Sequence, residues 1–264
     1  MSTEVNGLHT LSRAQVEQFR RDGFLVVENL LTEDDMAAVR DRADLIAGGR
    51  APHVPEDCVQ VEPGLRDGPL PEDRALAVRK IYKVAHYDDV MLAHVRNPRL
   101  VDVIADLLGS DDIKLYLDQI LMKPAFHGSA QAWHQDSGSW RDMFPMDLVT
   151  AWCALDDATI ANGCLWMAPG THRWGMIPKH LQSDLQNSFV GQFEPVPVEI
   201  PAGGVSFHHS LVFHSSRPNT TPHRRRGSAV HYMRAATIKD ETVTDAPKVP
   251  PFIQVRGQSF PGCV

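Results

Sequence analysis

The chain has few cysteines, no long apolar run and no excess of basic charge, and each absence excludes a class of protein. Its four cysteines are widely spaced and include no Cys-x-x-Cys pair, so we expect neither a disulfide framework nor a cysteine-ligated zinc site. No stretch approaches the ~18 uninterrupted apolar residues of a membrane helix, and the first twenty residues lack the apolar core of a secretory signal. The sequence therefore predicts a cytoplasmic protein without a membrane partner.

Acidic side chains outnumber basic ones, 33 to 26, which gives a formal charge of −7. Nucleic-acid binding depends on a positive field, so we do not expect a nucleic-acid partner. The run from His223 to Arg226 could form a basic patch, but a solvated strand end is the better interpretation in an acidic chain. The remaining composition is that of a globular protein, 43% hydrophobic and 22% charged, with thirteen histidines.

Three helices are predicted before residue 110. The first follows a Ser-x-x-Gln capping box at Ser12 and ends at Gly23, where a left-handed glycine suits a helix C-terminus. The second runs from the Thr32 cap to Gly48, and the third spans about 89–108 on the spacing of its apolar residues.

Residues 50–78 contain five prolines, many acids and almost no periodicity. Loops of this length inside compact domains are usually lids or disordered segments. The sequence leaves both interpretations open.

From Lys114 onward, short apolar and β-branched runs alternate with turn residues such as Asn162-Gly163. Several strands at this spacing suggest a sandwich or a closed double-sheet barrel. Helices followed by strands in one unit predict an α+β domain. The predicted strands cover residues 114–123, 147–155, 163–167, 196–200, 204–213 and 227–237.

His134-x-Asp136 is the first candidate for chemistry. Residues i and i+2 of a strand point to the same face, so imidazole and carboxylate could hold one ion. Two histidines and one carboxylate on one face of a metal are the ligands of non-haem Fe(II) oxygenases. The pair alone is weak evidence, because a surface pair would look the same.

A second motif strengthens this hypothesis. His214-x-Ser216-x-x-Asn219, with Arg225 eleven residues after the histidine, resembles the phytanoyl-CoA dioxygenase family of Fe(II)/2-oxoglutarate oxygenases. Other family-like segments occur in the expected order along nearly the whole chain: Asp22-Gly23-Phe24, His134-x-Asp136, Asn162-Gly163-Cys164-Leu165 and Pro169-Gly170-Thr171-His172.

The resemblance implies a double-stranded β-helix (jelly-roll, cupin-like) core with N-terminal flanking helices. The whole chain, 1–264, would then be one dioxygenase domain. Its parts would be a helical region at 1–110, a jelly-roll core at about 111–240 and a C-terminal tail at 241–264. The implied cofactors are Fe(II), 2-oxoglutarate as cosubstrate, and O2.

Carried over residue by residue, the resemblance makes His134, Asp136 and His214 the iron ligands and the catalytic centre. Arg225 would bind the distal carboxylate of 2-oxoglutarate with help from Ser216, since a guanidinium fork matches a carboxylate.

Three further residues match family positions near the cosubstrate: Gln119, Trp152 and Lys80. Lys83 is close enough to Lys80 in sequence that the register stays open. Leu115, Leu117 and Leu121 would share the inward face of Gln119.

Other histidines near the motif compete for the same role. His208 and His209 are rival ligands to His214, but only His214 has the Ser216 and Arg225 spacing, so the other two are interpreted as core or hydrogen-bonded histidines. His231 shares strand parity with Arg225 and could touch the site, although a buried, satisfied histidine is the favoured interpretation.

The predicted function is hydroxylation of a C–H bond in a small metabolite or natural-product intermediate, with release of succinate and CO2. Related halogenases have a small residue in place of the carboxylate, whereas Asp136 is present here. Desaturation, epoxidation or rearrangement on the same ligands remains an alternative, as does a non-catalytic metal-binding jelly-roll protein. The sequence leaves the substrate and the oligomeric state open.

Overall fold

The computed structural model describes residues 8–182, 194–243 and 251–264. Its helices are α1 (Arg13–Asp22), α2 (Glu33–Ala47), α3 (Asp89–Val95), α4 (Pro98–Leu108) and the short α5 (Lys179–Gln182). Its strands are β1 (Phe24–Val27), β2 (Val59–Val61), β3 (Val78–Tyr82), β4 (Ile113–Lys123), β5 (Gln131–His134), β6 (Met143–Phe144), β7 (Val149–Ala154), β8 (Leu165–Met167), β9 (Val196–Val198), β10 (Val205–His209), β11 (His214–Ser216), β12 (Arg225–Arg234), β13 (Ile238–Lys239) and β14 (Ile253–Arg256). Among the described residues, no helix is both long and apolar enough to span a bilayer.

The first two predicted helices are confirmed. Both α1 and α2 begin with reciprocal capping boxes, at Ser12 and Thr32, in which each cap side chain and the side chain three residues later satisfy backbone N–H groups. Gly23 adopts a left-handed φ of 82° and donates its N–H to Phe19 O at 2.8 Å. This turn ends α1 and leads the chain directly into β1.

The third predicted helix, over residues 89–108, is wrong as a single element. The chain forms α3 and α4, which are separated at Asn97-Pro98. Proline disfavours helical backbone in the residue before it and is tolerated at the first helical position. Asn97 takes up the role of cap, because its side-chain oxygen accepts the N–H of Arg99 at 3.0 Å.

The proline-rich segment 50–78 is more ordered than its composition suggests. It contains short 3₁₀ turns and β2, which pairs with β3. Glu62 follows β2 and is 1% exposed, and its Oε1 accepts the backbone N–H of Ser129 at 2.9 Å. A role for this segment as a lid stays a prediction.

Two antiparallel sheets form the barrel. The larger sheet has the strand order β1-β10-β7-β12-β4-β3-β2, with β14 also paired to β4, and the smaller sheet has the order β5-β11-β8-β9. Strands from the first 110 residues and from the C-terminal tail therefore join the same large sheet. The division of the chain into helical part, core and tail stays a prediction.

The two faces of the large sheet have different surroundings. Helices α2 and α4 pack on its outer face, where Val39, Ile104 and Phe207 belong to the main hydrophobic core. A second apolar cluster, which includes Trp152 and Met167, lies toward the small sheet. The cavity described below opens on this inner side.

A β-bulge in β4 changes which side chains face inward. The register passes from His231 opposite Leu117 to Tyr232 opposite Leu115, so one residue of β4 is extra, and an extra residue reverses strand parity. Leu117 and Leu121 line the inner cavity as predicted, but Leu115 is buried in the helix-facing core. The prediction for Leu115 is therefore wrong.

The predicted strand at 204–213 is also shorter than expected. The chain leaves the large sheet at His209, turns through a Val212 N–H to His209 O bond of 2.9 Å, and enters the small sheet at His214. This crossing places residues of one sequence motif on two facing sheets.

Candidate active site

His134 and His214 lie directly opposite each other on paired strands β5 and β11. Nδ1 of His134 is 2.8 Å from Ala132 O, and Nδ1 of His214 is 3.1 Å from Val212 O. A carbonyl oxygen can only accept, so both Nδ1 atoms carry the proton and both Nε2 atoms present a lone pair. This tautomer is the one in which histidine binds a metal through Nε2.

Asp136 completes the cluster from the first residue of a 3₁₀ turn, just beyond the end of β5. The sequence prediction assumed that Asp136 lies on the strand, but the 3₁₀ turn, and not strand alternation, sets the direction of its side chain. Its Oδ1 lies 3.7 Å from Nε2 of His134 and 3.7 Å from Nε2 of His214. One ligand atom from each of the three residues lies within 4.8 Å of the others, a spacing and donor set that suit a divalent transition metal.

The protonation states of the cluster suit a metal as well. Burial and the neighbouring His214 lower the pKa of His134 to about 4, and burial lowers the pKa of His214. Burial alone would raise the pKa of Asp136, but His214 and the other surrounding histidines lower it well below its ordinary value. Neutral imidazoles beside an ionised carboxylate are the forms that bind metal.

Arg225 is a buried cation with unused donors. Its side chain is 1% exposed, Nη2 donates to Gly163 O at 2.8 Å, and Nε and Nη1 have no hydrogen-bond partner among the described residues. Its guanidinium lies 5.2 Å from the centre of the Trp152 ring, and burial lowers its pKa to about 10. A buried charge with free donors is costly, so this group fits an anionic ligand such as a carboxylate.

One cavity of about 360 Å³ is lined by all the residues that the family resemblance implied for the iron and cosubstrate site. Besides the His-Asp-His cluster and Arg225, its lining includes Lys80, Gln119, Trp152 and Ser216. Lys83 is not part of this lining, so Lys80 is the lysine of the pair that faces the site. The side chain of Lys80 lies 5.1 Å from the centre of the Tyr82 ring.

Asn219, the other polar residue of the second motif, has a structural role. Its Nδ2 donates to the carbonyl oxygens of Pro124 and His223, and its Oδ1 accepts the N–H of Thr221 at 3.0 Å. These bonds fix the turn that precedes β12. They thereby set where Arg225 enters the barrel.

Three cavity residues carry more weight than the sequence interpretation gave them. His208, Thr150 and His231 lie side by side on adjacent strands β10, β7 and β12, and all three line the cavity. His208 Nε2 is 3.5 Å and His231 Nδ1 is 3.9 Å from Oδ2 of Asp136. These three residues could have been predicted as neighbours only from the pairing of β7 with β10 and β12, and the sequence does not show that pairing.

The remaining rival ligand, His209, lies outside the cavity lining. Its ring lies 5.3 Å from that of His172 at a tilt of 43°, and its Nδ1 accepts the N–H of Leu211 at 3.1 Å. The sequence preference for His214 over His209 agrees with this placement.

The sequence profile of the family described as phytanoyl-CoA dioxygenase (PhyH) matches residues 19–227. The chain belongs to the phytanoyl-CoA dioxygenase family. L-proline trans-4-hydroxylase of Streptomyces griseoviridis is 30% identical, over 90% of this chain and 91% of that protein. Ectoine dioxygenase of Bordetella parapertussis is 29% identical, over 80% of this chain and 72% of that protein.

Solved structures show the same fold. The crystal structure of EctD from S. alaskensis with 2-oxoglutarate and 5-hydroxyectoine has a TM-score of 0.75 and 24% identity to this chain, and it covers 98% of this chain and 89% of that one. At this identity the likeness carries the fold alone, and it confirms the predicted α+β jelly-roll class.

Membership of the phytanoyl-CoA dioxygenase family also confirms the predicted enzyme class, a 2-oxoglutarate-dependent dioxygenase that uses iron and O2. A non-catalytic metal-binding jelly-roll protein is not favoured by these relatives.

Proposed function

We propose that this protein hydroxylates a C–H bond of a small metabolite or natural-product intermediate and releases succinate and CO2 from 2-oxoglutarate. His134, Asp136 and His214 would hold Fe(II). Arg225 and Ser216 would hold the distal carboxylate of 2-oxoglutarate.

The observation that carries this proposal is the presence of two unlike groups in one cavity. A cluster of three side chains that could bind one metal ion lines the same cavity as a buried guanidinium with two nitrogens that have no partner among the described residues. A purely structural metal site has no use for the guanidinium, whereas a cosubstrate with two carboxylates needs both groups.

The residues that line the cavity would each have a defined task in this reaction. Bound Fe(II) would supply the redox chemistry with O2. The Arg225 guanidinium would fix one end of the cosubstrate, and the Trp152 ring beneath it would exclude water from that ion pair. Gln119 and Lys80 would contact the cosubstrate from β4 and β3.

The size of the cavity supports a small substrate. About 360 Å³ is at the lower end of the ~300–1,000 Å³ typical of ligand pockets, and substrate and cosubstrate would have to share it. The relatives named for proline and ectoine act on molecules of that size. We propose a substrate of this class, and the cytoplasm as the place of action.

The basic run from His223 to Arg226 gives no support to a nucleic-acid substrate. Arg224 and Arg226 form ion pairs with Asp44 of α2, and Arg226 also forms a bidentate pair with Asp156. Their charges are therefore neutralised within the fold, and Arg225 between them faces the opposite side of the strand.

The proposal is tested first without substrate. Anaerobic protein with Fe(II) and 2-oxoglutarate should develop a visible charge-transfer band, and Asp136→Ala should not. Asp111→Ala, which changes an exposed carboxylate, is the matched control and should keep the band. A wild-type protein without the band, or an Asp136→Ala variant that keeps it, would contradict the ligand assignment.

The reaction outcome is tested by a substrate screen. Succinate formed above the uncoupled background identifies a substrate, and mass analysis of the product then separates the alternatives. Hydroxylation and epoxidation both add one oxygen, so they are separated by whether a double bond is consumed, and desaturation removes two hydrogens. A product without added oxygen would overturn the assignment as a hydroxylase.

A further inference from the structure

An unbroken chain of hydrogen bonds leads from Gln119 in the cavity wall to the Asp136 carboxylate. Nε2 of Gln119 lies 2.8 Å from Nε2 of His231, and Nδ1 of His231 lies 2.7 Å from Oγ1 of Thr150. Oγ1 of Thr150 lies 3.1 Å from Oδ2 of Asp136. Thr150 and His231 are 1% and 3% exposed, so the two middle members of this chain are shielded from water.

The direction of every bond in this chain follows from its last member. An ionised carboxylate only accepts, so the single hydroxyl proton of Thr150 points to Asp136. Thr150 Oγ1 must then accept from His231, which places the proton of that imidazole on Nδ1. His231 Nε2 is left as an acceptor, and the amide N–H of Gln119 fills it. Each hydrogen bond of the chain therefore has one donor and one acceptor, with no conflict between neighbouring bonds.

The two oxygens of Asp136 therefore have different surroundings. Oδ2 accepts from Thr150, and His208 Nε2 lies 3.5 Å from the same atom. Oδ1 faces the lone pairs of the two ligand imidazoles at 3.7 Å.

We propose that Thr150 and His231 are positioning residues that hold Asp136 so that only Oδ1 can bind the metal. This inference rests on the proposed function, because it takes Asp136 as a ligand. Hydrogen bonds from outside the ligand set orient ligands and tune metal affinity, and here they would do so by occupying one carboxylate oxygen.

Single-oxygen binding matters for the chemistry. Two imidazoles and one carboxylate oxygen would leave positions on a bound Fe(II) free for the keto acid and O2. A carboxylate that bound through both oxygens would occupy one of these positions. The hydrogen-bond chain from Gln119 would thus keep a coordination position available.

The test measures Fe(II) affinity under nitrogen in full-length, metal-stripped protein. Thr150→Val removes the hydroxyl at nearly constant shape and should weaken Fe(II) binding by about 10–100-fold, the usual effect of removing an outer partner. Thr150→Ser keeps the hydroxyl and should restore binding to within about threefold. Thr237→Val is the matched control, because Thr237 is also fully buried and its hydroxyl has no partner in the described structure.

His231→Phe tests the chain itself. It keeps a ring against Trp140, which His231 meets edge-on at 4.6 Å, but it cannot donate to Thr150. We expect weaker Fe(II) binding than in wild type, and a Thr150→Val/His231→Phe double variant that binds no worse than Thr150→Val alone. Additive losses would overturn the proposal that the two residues act as one unit.

Two further outcomes count against the inference. In the first, Thr150→Val binds Fe(II) as tightly as wild type does. In the second, Thr150→Val and Thr237→Val lower the melting temperature of the apoprotein equally and weaken Fe(II) binding equally. Either result would show that Thr150 has a merely structural role. Asp136→Ala in the same titration separates a failure of the proposed function from a failure of the positioning role. If it keeps Fe(II), the proposed function fails; if it alone loses Fe(II), only the positioning role fails.

Discussion

The guanidinium of Arg225 is 1% exposed, yet only its Nη2 donates within the described structure. Arg225→Lys keeps a positive charge but cannot reproduce the planar donor set. We expect the dissociation constant of 2-oxoglutarate, measured from the anaerobic charge-transfer band, to rise at least about tenfold.

Arg226→Lys is the matched control on the next residue of the strand. Arg226 pairs with Asp156 on the opposite side, so its replacement should lower stability but leave the 2-oxoglutarate dissociation constant unchanged. An equal effect of both substitutions would mean that Arg225 acts through the stability of β12 and not through the cosubstrate.

Asp118 is a buried carboxylate on the helix-facing side of β4. Its Oδ2 accepts the N–H groups of Val84 and Ala85, but burial raises its pKa to about 6. Between about pH 4 and 6 the folded state keeps this proton while the unfolded state loses it. The contribution of Asp118 to stability is therefore present at low pH and lost as the pH rises through 6.

Asp118→Asn removes this titration and keeps an accepting oxygen for the same N–H groups. Relative to wild type, the free energy of unfolding of the variant should increase by about 1–3 kcal/mol between pH 4 and pH 7. Urea denaturation at a series of pH values measures the difference. A difference that does not change with pH would contradict the assignment.

At the residue scale, the sequence revealed the groups that follow a motif but not the contacts that depend on strand pairing. His134, His214 and Arg225 are spaced along the chain as in the family, so they could be predicted. Thr150 and His231 meet only because β7 pairs with β12 in one register. A pairing between distant segments has no local signature, and a threonine in a strand gives no hint of its partner.

At the scale of elements, the break between α3 and α4 depends on one cap. Asn97 is 8% exposed, accepts the N–H of Arg99 at 3.0 Å and donates to Asp35 Oδ1 at 3.0 Å. Asn97→Ala should lower the free energy of unfolding by about 1–2 kcal/mol, measured by urea denaturation. Asn97→Ser keeps an accepting oxygen and should lose less; an equal loss would show that the cap is not the cause.

Element boundaries were predictable where the signal was local. The capping boxes of α1 and α2 follow from neighbouring residues, and Pro98 could have been interpreted as the start of α4. The bulge at residue 116 of β4 could not be predicted, because it is defined by the strand opposite. The single extra residue moved Leu115 to the outer core.

At the scale of the whole molecule, the site exists only when the two sheets face each other. His134 and His214 come from the small sheet, while Thr150, His231 and Arg225 come from the large one. The proposed ligands and the groups proposed to orient them are therefore brought together by closure of the barrel. Composition and periodicity could predict that the chain forms two sheets, but not which inner residues would meet.

This arrangement couples metal binding to the stability of the fold. The three proposed ligands come from β5, the turn after it and β11, so an unfolded chain does not present them together. A metal that binds only the folded state stabilises it by mass action. Fe(II) at one hundred times its dissociation constant should add about 2.7 kcal/mol. For a domain of this size that corresponds to a rise of about 5–10 °C in melting temperature.

Differential scanning calorimetry under nitrogen, with and without a chelator, measures the shift. Asp136→Ala should show almost none of it, whereas Asp111→Ala should show all of it. A shift that survives in Asp136→Ala would mean that the stabilising ion binds elsewhere.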